Sequence, residues 1–131
     1  MRFRKLKNLD TRRDNCSDLR IPYSIPDFDL RNIDNVHEYI DFSEYFVNDA
    51  PLVLEIGCGK GRFTLGTAQA EPKNMLIAIE RVEDAMVTAM ERVCDAGVGN
   101  VRFISRDALK LREIFSAGEI SRIFINFCDP W

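Results

Sequence analysis

The sequence has one histidine, His37, and one tryptophan, Trp131. Its four cysteines, Cys16, Cys58, Cys94 and Cys128, form no C-x-x-C pair. With so few ligands at such spacings, no metal site is expected. No apolar run approaches the roughly 20 residues a membrane helix needs. The charged N-terminus lacks the apolar stretch of a secretory signal. A cytoplasmic protein without a membrane partner is the expectation. No internal repeat and no low-complexity segment is visible.

The composition is that of a folded protein. Apolar residues make up 46% and charged residues 30% of 131 positions, which suits one soluble domain. The net charge of −3 excludes a uniformly basic nucleic-acid binder. The charge is uneven, however. Arg2, Arg4, Lys5, Lys7, Arg12 and Arg13 crowd the first 13 positions against Asp10 alone. Such an arm can neutralise backbone phosphates, and it can equally be a solvated terminus. Residues 1–34, broken by Pro22 and Pro26, read as a basic arm and loop.

Residues 35–131 read as one α/β unit. Val36, Tyr39, Ile40, Phe46 and Val47 fall at helical spacing over 35–47. Strands are expected at 52–56, 75–79, 101–104 and 122–127, with helices at 61–71, 82–96 and 108–115. Alternating strands and helices give a parallel sheet through right-handed crossovers. Such sheets bind ligands at the carboxyl ends of their strands. The four expected ends carry Glu55, Glu80, Asp107 and Asp129.

The first end is the most informative. Leu52-Val53-Leu54-Glu55-Ile56 runs into Gly57-Cys58-Gly59-Lys60-Gly61. A buried strand is followed by glycines at every second position, where a ligand can approach bare backbone. The dinucleotide fingerprint is G-x-G-x-x-G, and here the third glycine comes one residue early. Glu55 would repel a pyrophosphate and suits a cationic group instead. S-adenosylmethionine offers a sulfonium and an ammonium, and no phosphate. Glu80, 23 residues after Gly57, is placed for ribose hydroxyls. Asp107 is placed for the adenine amino group. Cys58 and Cys128 read more simply as small apolar filler.

The pattern resembles class I methyltransferases and, more narrowly, the bacterial tRNA (guanine-N7)-methyltransferase family. The match lies in Leu54–Gly61, Ile77-Ala78-Ile79-Glu80, Asn100-Val101-Arg102 with Asp107-Ala108, and Ile125-Asn126-Phe127-Cys128-Asp129-Pro130-Trp131. The Asn-Phe-x-Asp-Pro-Trp ending is the most specific part, although Cys128 stands where Pro or Ser is commoner. The resemblance covers about residues 44–131. It implies a Rossmann-like fold with strand order 3-2-1-4 and a tRNA substrate. It implies methyl transfer from S-adenosylmethionine to N7 of a variable-loop guanosine. It further implies cofactor contacts by Glu55, Gly57, Cys58, Gly59, Gly61, Glu80, Arg81, Asp107, Ala108 and Asp129, with Asp129 also at the reaction centre.

Against the family, the sequence stops early. A basic stretch and further strands are expected beyond Trp131. Strand 4 would then be an open edge, able to pair with another chain. Other readings stay open: a methyltransferase of another substrate, a cofactor-binding fragment without turnover, or an NAD enzyme.

Overall fold

The computed structural model describes residues 7–21, 41–42, 45, 50–105 and 114–126. Asp107, Ala108, Asp129, Pro130, Trp131, Arg2, Arg4 and most of the helices expected at 35–47 and 108–115 lie outside the described residues.

Four parallel strands form one sheet in the order β3-β2-β1-β4. They are β1 (Leu52–Ile56), β2 (Met75–Glu80), β3 (Val101–Ser105) and β4 (Ile120–Ile125). β1 and β2 carry apolar side chains on both faces, as central parallel strands must. β4 begins two residues before the expected 122, at Ile120. Its register against β1 shifts between Leu52 and Val53, so Ser121 is the extra residue of a bulge.

Helices α2 (Arg62–Ala70) and α3 (Glu83–Asp95) cover one face of the sheet. Met86, Ala89, Met90 and Val93 of α3 pack on Val53, Leu76, Ala78, Val101 and Phe103. The i, i+3, i+4, i+7 spacing of those α3 residues is what puts them on one side. Gly97 ends α3 in the left-handed region at φ 69°, with its N–H donating to Cys94 O at 3.1 Å. The opposite face carries Leu52, Leu54, Ile56, Ile77, Ile79 and Ile104, met by Ile21, Phe42, Ile114 and Phe115. Phe42 and Phe115 stack with centroids 5.1 Å apart.

The N-terminal segment departs from the arm-and-loop expectation. Helix α1 (Leu9–Asn15) and a 3-10 turn at Ser17–Leu19 lead into Arg20, which bridges to Phe103. The Ile21 N–H donates to Phe103 O at 2.9 Å. The segment therefore wraps the outer edge of β3. Cys16 and Leu19 join the helical face and Ile21 the other. Its arginines explain why it docks. Arg12 pairs with Glu91, and Arg13 and Arg20 both pair with Glu83, all on α3. Composition displayed these cations and not the acids that would meet them.

Candidate functional site

The carboxyl ends of β1, β2 and β4 converge on the glycine loop. Gly57, Gly59 and Gly61 all have positive φ. Gly61 is fixed by packing as well. A Cβ there would sit 2.7 Å from Ala89 Cβ, so the glycine lets α2 and α3 approach closely.

The loop's N–H groups turn inward. Gly57 N and Cys58 N donate to Ile79 O at 2.8 and 3.2 Å, and Gly61 N donates to Cys58 O at 3.0 Å. Gly59 N donates to Glu80 Oε2 at 2.9 Å. A pyrophosphate cradle needs such N–H groups aimed at the ligand. Here they stitch β1 to β2, and two carboxylates stand beside them.

Glu55 is fully buried at the end of β1. The Thr64 hydroxyl donates to its Oε1, and Asn126 Nδ2 donates to its Oε2 at 3.2 Å. Burial pushes the Glu55 carboxyl above the usual range, the two hydrogen bonds oppose that, and the nearby Glu80 charge adds to it. Among the described residues the hydrogen-bond partners of Glu55 are neutral, and a buried carboxylate so held is an electrostatic unit that a cation completes. Glu80 is also largely buried, and its Oε1 accepts from the Val82 N–H at 3.3 Å.

Cys58 lies in the core against the helices, and burial drives its thiol well above its ordinary range. Arg81 follows Glu80 and is exposed. Ser105, at the end of β3, donates to Glu83 Oε2 at 3.2 Å. Among the described residues, no group of three or more His, Cys, Asp or Glu side chains could hold a metal ion. Within the same residues, no helix is long and apolar enough to cross a membrane.

Thr64, Asn126 and Glu83 received no site role from the sequence. Thr64 falls three residues after Gly61, a spacing that puts it in the first turn of α2. Asn126 stood within the Asn-Phe-x-Asp-Pro-Trp pattern, but only the structure pairs it with Glu55.

Residues 49–131 match the family described as "Putative methyltransferase". The chain belongs to this methyltransferase family. Two curated relatives carry the name tRNA (guanine-N(7)-)-methyltransferase. The one from Listeria monocytogenes serotype 4b is 47% identical over 88 residues, which are 67% of this chain and 41% of the relative. The one from Halalkalibacterium halodurans is 49% identical over 86 residues, 66% of this chain and 39% of the relative. The methyltransferase-family chain thus spans well under two thirds of the length of these relatives. A solved structure of PKMT2 from Rickettsia typhi in complex with AdoHcy superposes at TM-score 0.51. It shares 24% identity and covers 82% of this chain and 19% of that one, which supports the Rossmann-like fold.

Proposed function

We propose that this chain is the cofactor-binding part of a tRNA (guanine-N7)-methyltransferase of the cytoplasm. The observation that carries this reading is Glu55, a buried carboxylate hydrogen-bonded by Thr64 and Asn126, beside a glycine loop whose Gly57, Cys58, Gly59 and Gly61 N–H groups are already taken by acceptors of the protein itself. A positively charged adenosine cofactor suits that site and a dinucleotide does not.

The residues fit S-adenosylmethionine. A carboxylate offers about four acceptor positions. Thr64 and Asn126 occupy two on Glu55, which leaves room for an ammonium. Gly59 and Val82 occupy two on Glu80, which leaves room for both ribose hydroxyls. Asp107 with Ala108 is assigned to the adenine, and Arg81 flanks the ribose. When bound, the cofactor supplies an electrophilic methyl group on a sulfonium. Guanine N7 carries a lone pair and no proton, so the protein needs no base. Its task is alignment for in-line displacement. Asp129 is assigned to accept hydrogen bonds from guanine N1 and N2 and to favour the positive charge developing on the ring. Trp131 stacks on a base in this reading. The partner is tRNA, with Arg2, Arg4 and Lys5 meeting phosphates. Arg12, Arg13 and Arg20 are engaged with α3 instead.

A second reading is a cofactor-binding unit without turnover, since Glu55, Glu80 and the glycine loop belong to the cofactor side of the site. Two measurements separate the cases: calorimetry with S-adenosylmethionine, and labelled methyl transfer to bulk tRNA followed by nucleoside analysis. The first reading expects binding and N7-methylguanosine, with Asp129→Ala abolishing turnover and weakening binding less. Binding without product supports the second, and absence of binding overturns both.

A further inference from the structure

Glu55 is held from two directions that the sequence separates widely. Thr64 belongs to the first turn of α2, and its side chain is fully buried. Its hydroxyl has one proton to donate, and that proton goes to Glu55 Oε1. Asn126 follows β4 directly. Its backbone N–H donates to Ile56 O at 2.9 Å, while its amide donates to Glu55 Oε2 at 3.2 Å. Asn126 is therefore pinned to the end of β1 by both backbone and side chain. The next residues in sequence are Phe127, Cys128 and Asp129.

This arrangement has a chemical direction. Both partners are neutral donors, so they orient the carboxylate without cancelling its charge. The first turn of α2 adds the positive end of the helix dipole nearby, which favours an anion there. The carboxylate is thereby kept for an external cation. Resting on the cofactor reading above, we propose that Thr64 and Asn126 are positioning residues for cofactor binding, acting through Glu55.

The pH dependence of binding distinguishes this role from simple packing. Cofactor binding through Glu55 needs its ionised form, and burial already disfavours that form. Removing a donor disfavours it further. Among the described residues, the other titratable groups facing Glu55 are Glu80 at the end of β2 and the Cys58 thiol of the loop. Both Thr64→Val and Asn126→Ala leave them in place.

The test is calorimetric titration of the 131-residue chain with S-adenosylmethionine between pH 5 and 8. Thr64→Val and Asn126→Ala are each expected to weaken binding roughly tenfold, the scale of one hydrogen bond to a charged group. Each is expected to move the acid limb of the binding curve to higher pH. Thr64→Ser, which keeps the hydroxyl, is expected to restore both affinity and limb. Circular dichroism establishes that each variant is folded, and Asn126→Ala carries the same readout if Thr64→Val is not. Wild-type binding with an unmoved limb in the variants overturns the positioning role alone. A wild-type chain that binds no S-adenosylmethionine overturns the cofactor reading and this inference with it.

Discussion

Gly61 shows how one position can serve packing and chemistry together. Its φ of 87° lies where side chains are strained, and a Cβ would come within 2.8 Å of the Ala89 backbone. The nearest atoms belong to the backbone and Cβ of a buried helix, so they cannot swing aside. Backbone strain and overpacking together are expected to destabilise Gly61→Ala by about 2–4 kcal/mol. Gly66 is the control. It lies within α2, and nothing stands within 4 Å of a Cβ added there. Gly66→Ala is expected to stabilise by up to ~1 kcal/mol through helix propensity. Thermal melts of the two variants check this. If Gly61→Ala melts at the wild-type temperature, the close approach of α2 to α3 is not as described. The glycine spacing was legible in the sequence as a ligand loop. The role of its last member was not, because Ala89 lies 28 positions away and looks like any other core alanine.

At the scale of elements, the unexpected feature is the strap of residues 9–21. Its anchor is Glu83 at the start of α3, which accepts from Arg13, Arg20 and Ser105. Burial works against the Glu83 carboxylate, but the hydrogen bonds and charge of Arg20, then Arg13 and Ser105, hold its pKa below the ordinary carboxylate value. The sign follows from linkage. A carboxyl whose folded pKa is depressed stabilises the fold above its unfolded pKa, about 4.3. That contribution is lost as pH falls through the lower folded value. Glu83→Gln is therefore expected to lower stability by about 1–2 kcal/mol at pH 7, a few partly exposed ion pairs in one cluster. The difference from wild type should shrink steadily below pH 4. Melts at pH 7 and pH 3 measure it, and hydrogen exchange should show residues 9–21 opening first. An equal deficit at both pH values would mean that the charge of Glu83 does not hold the strap. The sequence disclosed the sheet and the helices on it, since apolar periodicity is a local signal. The strap was hidden because it depends on long-range charge pairing and on the edge of β3, neither of which leaves a periodic trace.

At the scale of the whole molecule, the two sides of β4 are treated differently. Toward α2, Phe124 meets Phe63 edge-on with centroids 5.0 Å apart, and Arg122 caps Phe124 while pairing with Glu71. On the other side, Ile123 and Ile125 stand level with Leu54 and Ile56. Those β1 residues belong to the core, yet Ile123 is 51% and Ile125 69% exposed. Among the described residues, β4 also pairs only with β1, so one row of backbone groups is open. An apolar face beside an unpaired edge is a template for another strand. Self-association through β4 is accordingly our proposal for the free chain. Sedimentation velocity over a concentration series is expected to show assembly by the wild type. Ile125→Lys should shift the distribution toward monomer without loss of helical signal, because its side chain leaves no cavity when replaced. Gly66→Ala, on the covered side, should leave assembly unchanged. A wild type that remains monomeric at its highest soluble concentration would sink the proposal. An Ile125→Lys variant that still assembles would move the contact elsewhere. Ile125 is already largely solvent-exposed in the free chain, so the charge enters without burial and its effect on assembly reads the apolar face beside the open edge rather than the stability of the sheet.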